Sequence, residues 1–249
     1  MTLSVTALSV GRVFGLQKPS LTYLRGWGQV MDIPLIMFVI RGDGPPVVVD
    51  TGADLARAIA HHGIRMEQTP QEEPAAALRS LGVDPDEVRV VVNTHLHWDH
   101  SSNNHLFPNA RIVVQQREID YASQPVPWHR RQFEHLPELT AAWRRAEDRV
   151  DPVDGDATVA PGVSVVALPG HTPGSQGVVV EAATKRYLLA GDCIDLYENW
   201  AGDDEDRHIP SGFFTDILAY EDSLNRIEKL GCEVVPSHDP LVVERREFR

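Results

Sequence analysis

Short apolar runs, each stopped by turn-forming or polar residues, set the rhythm of this chain. Residues 3–14 and the run LIMFVI (35–40) predict strands, as does PVVVD (46–50), which stops at Thr51-Gly52. Between the first two, SLTYLRGWGQVMDIP (20–34) mixes aromatics with glycines and reads as an ordered loop. TPQEEPAAALRSLGV (69–83) predicts a helix, since Pro, Glu and Ala come early and Leu78 and Leu81 stand three apart. DEVRVVVNTH then runs from a turn into a buried strand, and ARIVVQQ (110–116) predicts another. Residues 117–148 read as largely helical, interrupted where the two prolines of SQPVPW break any continuous helix. VSVVALPGH (163–171), QGVVVEA (176–182) and KRYLLAGD (185–192) are three apolar runs separated by turns. DILAYEDSLNRIEKL has apolar residues at 217, 220, 224, 227 and 230, a helical repeat, and CEVVPSHD (232–239) closes with a short strand.

No linker rich in Gly, Ser or Pro divides the chain, so residues 1–249 are expected to form one α/β domain with layered sheets. No apolar stretch reaches the roughly 18 residues that a membrane span needs. The first residues lack a basic segment followed by an apolar one, so no signal peptide is expected. Cys193 and Cys232 are the only cysteines, which argues against a disulfide scaffold and suits a reducing cytoplasm. Acids outnumber bases 36 to 23, for a formal net charge of −13. That balance disfavours nucleic acid and other polyanions, and fits a neutral small molecule better.

Four places share one grammar: an apolar run stops, and a metal-ligand type of side chain follows at once. They are VVVNTHLHWDH, VVALPGH with His171, YLLAGD with Asp192, and EVVPSH with His238. A rigid sheet positions side chains at its strand ends while the loops leave a site open. Together these ends offer five histidines and two aspartates. Imidazole and carboxylate ligands suit zinc, and also manganese, iron or cobalt. Thiolates are absent from the set apart from Cys193 beside Asp192, which favours a catalytic centre over a closed structural one. His95 and His97 lie two apart and can address one ion, whereas Asp99 and His100 are better placed for a second. Seven ligands exceed the needs of one tetrahedral ion and suit two, with a carboxylate shared.

THLHWDH, followed in order by His171, Asp192 and His238, resembles the HxHxDH signature and later ligands of the metallo-β-lactamase superfamily. VVVDTG (47–52) is similar to that family's early strand-to-turn motif, whose aspartate, here Asp50, supports the metals from behind. The resemblance spans about residues 35–240. It implies an αβ/βα four-layer sandwich with two divalent metals, zinc first among them, at one edge. His95, His97 and His171 would hold the first metal, Asp99, His100 and His238 the second, and Asp192 both. It further implies hydrolysis of an ester, lactone, thioester or amide, with Asp99 handling a proton.

Ligand spacing and SHDPLVVERR near the C-terminus look like the N-acyl homoserine lactonase branch. Trp98 stands where those enzymes carry an aromatic beside the substrate. They often place a tyrosine three residues after the bridging aspartate; here that position is Asp195, and the first tyrosine is Tyr197. Either Tyr197 takes that role or the substrate differs. The loop 20–34 and the segment 195–214 are expected to wall the pocket, with Trp27, Trp98, Trp200 and Phe213 as its aromatics. A thioester hydrolase of the glyoxalase II type is the rival, although SSNN replaces the glycines that usually follow that branch's motif. A non-catalytic metal-binding relative is the other. Assembly stays open, a homodimer being one option.

Overall fold

The computed structural model describes residues 2–249. One sheet holds β1 (Ser4–Gln17), β2 (Val30–Arg41), β3 (Val47–Val49), β4 (Arg65–Glu67), β5 (Val90–Val92), β6 (Arg111–Gln115), β7 (Val150–Val153) and, from the far end of the chain, β13 (Glu247–Phe248). Its order is β13-β1-β2-β3-β5-β6-β7, with β4 paired to β1. The second sheet holds β8 (Ala157–Ala160), β9 (Val163–Ala167), β10 (Gln176–Glu181), β11 (Arg186–Leu189) and β12 (Glu233–Val235), ordered β12-β11-β10-β9-β8. The helices are α1 (Leu55–Arg57), α2 (Pro74–Arg79), α3 (Trp98–Ser101), α4 (Gln116–Ser123), α5 (Tyr197–Ala201), α6 (Ile217–Leu230) and α7 (Pro240–Arg245).

The valine-rich runs are apolar on both faces because both faces are covered. Val47, Val49, Val90 and Val92 point between the sheets, where they meet Val165, Val178, Val180 and Leu189. Val48 and Val91 point the other way, into a core completed by Ala77 and Leu78 of α2. On the outer face of the second sheet, Val179 and Leu188 pack against Tyr220, Leu224 and Ile227 of α6. The period-2 alternation thus feeds three cores and stacks helix, sheet, sheet and helix in four layers.

Strand direction explains why the polar stops meet. β3 and β5 run parallel, so Asp50 and the segment 93–100 leave the first sheet at the same edge. β9 and β11 both run antiparallel to β10, and β12 runs parallel to β11. The residues that follow these three strands, His171, Asp192 and His238, therefore leave the second sheet together.

Three expectations are corrected. β2 starts at Val30, inside the expected loop, because Val30, Met31 and Ile33 pair with Gln17, Leu16 and Val13 of the long β1. The stretch 117–148 breaks at Pro125 and Pro127 as expected, but it is α-helical only in α4; beyond the break come 3-10 turns, kinked at Ala146. β7 and β8 were not expected at all. Pro152 disguises β7 and is tolerated there because β7 is the last strand of its sheet.

Candidate metal centre

β5 delivers the chain to Thr94, and His95 and His97 follow in extended backbone before α3 begins at Trp98. The structure brings all seven expected ligands into two groups. His95, His97, His171 and Asp192 form one and Asp99, His100 and His238 the other, with the candidate ligand atoms of each group within 4.8 Å of one another. All but Asp99, which is partly open, are buried.

Hydrogen bonds fix which nitrogen four of the five imidazoles offer. Nδ1–H of His171 donates to the carbonyl of Phe213 at 2.8 Å, and Nδ1–H of His238 to that of Pro34 at 3.0 Å. Nδ1–H of His100 donates to Asp50 at 2.8 Å. Thr94 spends its single hydroxyl proton on Asp50 at 2.8 Å, so at 3.1 Å it accepts from Nδ1–H of His95. Each of these four rings therefore turns its Nε2 toward the gap between the groups. Such backing partners set the tautomer of a metal-binding histidine. Asp50 also accepts the Thr94 N–H at 2.8 Å and holds a left-handed φ of 55°, a strained backbone at the point where three hydrogen bonds converge.

Asp192 stands between the groups. Its Oδ1 lies 3.2 Å from Nε2 of His100 and 3.3 Å from that of His238. Its Oδ2 lies 3.4 Å from Nε2 of His171 and 3.7 Å from that of His95. Nδ1 of His97 faces Nε2 of His171 at 3.2 Å. Nε2 of His95, Nε2 of His100 and Oδ1 of Asp192 are buried without any hydrogen-bond partner. Orphaned polar atoms of this kind are rare in folded proteins, and a set of them converging on one gap fits two divalent cations. Burial, reinforced by neighbouring imidazoles, holds His95 and His97 well below the usual histidine range and so neutral. Burial also opposes charge on His238, but Asp192 outweighs it and lifts His238 to about 9.

The centre opens into a cavity of about 370 Å³. Leu16, Ile33, Trp98, Phe213 and Phe214 make much of its wall. Trp98 is pinned on both sides: its ring stacks on His62 at 4.4 Å, and its Nε1–H donates to Oε1 of Gln132 at 3.0 Å. Trp27 does not line this cavity and is 73% exposed. Trp200 lies outside it too, stacked on His208 at 4.1 Å. Tyr197 opens α5, where its N–H donates to Asp239 at 2.9 Å, and its ring packs against the inter-sheet core. Asp195, not Tyr197, lines the cavity, and burial followed by the charge of Asp192 raises its pKa well above the ordinary carboxylate range.

Sequence reasoning missed several supports. His62 lies on a turn with i→i+5 hydrogen bonding (Ala58–His62) that ends at Gly63, and nothing in the chain marked it out from the other lone histidines. Tyr220 looked like an ordinary apolar position of α6, yet its hydroxyl is 2.8 Å from the carbonyls of both Asp192 and Cys193 and holds the loop that carries Asp192.

The four-layer sandwich with a two-cation cradle at its edge defines a class of metallohydrolase fold, and the comparisons agree. The sequence model of the Metallo-beta-lactamase superfamily matches residues 37–238, and the chain belongs to that superfamily. Among curated relatives, the N-acyl homoserine lactonase AiiA of Bacillus thuringiensis subsp. kurstaki is 28% identical over 229 residues, covering 86% of this chain and 82% of that protein. The N-acyl homoserine lactonase AttM of Azorhizobium caulinodans is 29% identical over 236 residues, covering 87% and 86%. A solved N-acyl homoserine lactone hydrolase, with N-hexanoyl-L-homoserine at its catalytic metal center, superposes with a TM-score of 0.79 at 24% identity, over 98% of this chain and 97% of that one. No helix among the described residues is long and apolar enough to cross a membrane.

Proposed function

We propose that this protein is a dinuclear metal-dependent lactonase that opens N-acyl homoserine lactones or closely related lactones. The observation that carries the proposal is the seven-ligand cradle opening directly into an apolar-walled cavity. His95, His97 and His171 would hold the first cation, Asp99, His100 and His238 the second, and Asp192 would serve both. Zinc suits this imidazole and carboxylate set best, with manganese, iron or cobalt as alternatives. Two divalent cations bound there would supply hydroxide near neutral pH and polarise the ester carbonyl.

The chain's own groups do the rest. The Asp99 side chain is 17% exposed, against 10% for Asp192, and faces the cavity, so we assign proton transfer to its carboxylate. It takes the proton released as the ester carbon is attacked and gives it to the ring oxygen as the C–O bond breaks. Leu16, Ile33, Trp98 and Phe213 hold an acyl chain against the wall and exclude water. The named activity of the relatives supports this substrate, as does the formal net charge of −13, which repels polyanions. The free Cys193 and Cys232 support a reducing cytoplasm as its location.

Metal-reconstituted protein tests the proposal against homoserine lactones, aromatic lactones and a glutathione thioester. Lactone ring opening with two metals per chain, lost in His97→Ala, is expected. Thioester turnover without lactone turnover overturns it. So does protein that remains inactive after zinc or manganese is added.

A further inference from the structure

The three histidines of the first group come from two loops on different sheets. His95 and His97 follow β5, and His171 follows β9. Nothing in the covalent chain fixes the distance between those loops, and a mixed ligand set holds an ion only if its donor atoms converge.

Glu118 touches both loops. It lies on α4, fully buried, and belongs to neither ligand group. Its Oε1 accepts the N–H of Leu96, the residue between His95 and His97, at 2.9 Å. Its Oε2 accepts the hydroxyl of Thr172, the residue after His171, at 2.6 Å, and the N–H of Gly174 at 3.1 Å. The contact is tight enough to dictate sequence. A Cβ on Gly174 would lie 2.2 Å from the Glu118 nitrogen, so the His171 loop can approach only with glycine there. Burial raises the pKa of Glu118, and the Thr172, Leu96 and Gly174 donors oppose that rise. A buried carboxyl group in an apolar surround is destabilising unless it is hydrogen-bonded, and each of its bonds here leads to a ligand loop.

We propose that Glu118 is a positioning residue for the first cation: it sets the spacing between the His95–His97 turn and His171. This rests on the two-cation reading above. Its counterpart is Asp50, which bonds His100 directly and His95 through Thr94. Glu118 instead bonds two backbone N–H groups and the Thr172 hydroxyl, and no imidazole, so it governs where the loops stand and not which tautomer a ring adopts.

The test is metal retention in Glu118→Gln and in the pair Thr172→Val and Thr172→Ser, each loaded with Co²⁺ and challenged with graded chelator. Histidine-to-alanine variants at 171 and 238 give the reference spectra for loss of the first and the second ion. Glutamine keeps the size but presents an amide N–H₂ to donors at one end. One ion is expected to leave Glu118→Gln at about a tenfold lower chelator concentration than wild type, the size usual for loss of a group backing a ligand. The spectrum remaining should match that of His171→Ala. Thr172→Val should shift the same way by less, and Thr172→Ser should behave as wild type. Unchanged retention, simultaneous loss of both ions, or preferential loss of the second ion overturns the inference. Should Glu118→Gln not fold, the Thr172 pair decides it: equal retention in Val and Ser variants overturns it as well. A wild type that binds no ion would instead remove the two-cation reading itself.

Discussion

The cradle and the cavity wall face each other across the same opening but are built to different standards. In the cradle, four imidazoles have one nitrogen committed to a fixed acceptor, and one carboxylate is shared between both ligand groups. In the wall, Trp98 is held on two sides, while Phe213 is 46% exposed and Trp128 81% exposed. Groups that bond-making chemistry acts on must be pre-positioned, because displacement of a fraction of an ångström costs rate. Groups that select among apolar substrates contribute through contact area and tolerate looseness. The contrast teaches that reaction and recognition are separable here: cradle changes should damage turnover of every substrate, and wall changes should reorder substrates.

The sharpest test of the cradle is Asp192→Ala. Losing the shared carboxylate should lower hydrolysis of all accepted lactones on the order of a thousandfold and reduce metal content, read by steady-state kinetics and elemental analysis. A loss confined to some lactones would mean that cradle and wall are not separable. On the wall, Trp98→Ala should lower kcat/KM for a long-chain lactone about tenfold and for a short-chain one under threefold, the scale of a few lost apolar contacts. Metal content should hold. Because Trp98 opens α3, which carries Asp99 and His100, metal loss in this variant would show that the wall is part of the cradle.

The smallest expected effect lies behind the wall. Buried Glu134 accepts two hydrogen bonds from Arg57, at 3.0 and 2.7 Å, and the N–H of Ala142 at 2.8 Å, and lies 3.7 Å from His62 beneath Trp98. Burial works against its charge, but His62, Arg57 and the Ala142 N–H outweigh it and bring its pKa from 4.5 to about 2. A carboxylate whose folded pKa is depressed adds stability above its unfolded value, and that stability is lost as pH falls through the folded one. Metal-free wild type should therefore be more stable than Glu134→Gln at pH 6, with the gap closing as pH drops from about 4.5 toward 2. Denaturant midpoints across that range read it out; a gap that persists at the acid end would remove the ionic explanation.

The same division decides what could be read from the sequence. The cradle was legible because each ligand follows a run such as Val90–Val92 whose alternation declares a strand, and a strand end fixes a place in space. All seven candidate ligand positions, which the structure gathers into two groups, follow from that grammar and the family pattern. The wall was not, because an aromatic side chain carries no mark of which surface it joins. Trp98 and Phe213 reach the cavity, whereas Trp27 lies in solvent and Trp200 lies on His208. The supports were hidden for another reason. Glu118, Glu134 and Tyr220 act on residues far off in the chain, and a carboxylate on a short helix looks like any solvated charge until its partners are known. Segment 124–149 holds tight turns and no α-helix, since its i→i+3 bonds, such as His129 N–H to Val126 and Gln132 N–H to His129, run too briefly to leave a helical period.

The divided carboxylate of Asp192 also restricts how this centre can change. Each of its oxygens faces a different histidine group, so under the proposed two-cation reading a displacement that improved one ion's coordination would withdraw an oxygen from the other. Metal preference at the two positions would then be one joint property, and a substitution that retuned the first position for another ion would retune the second as well.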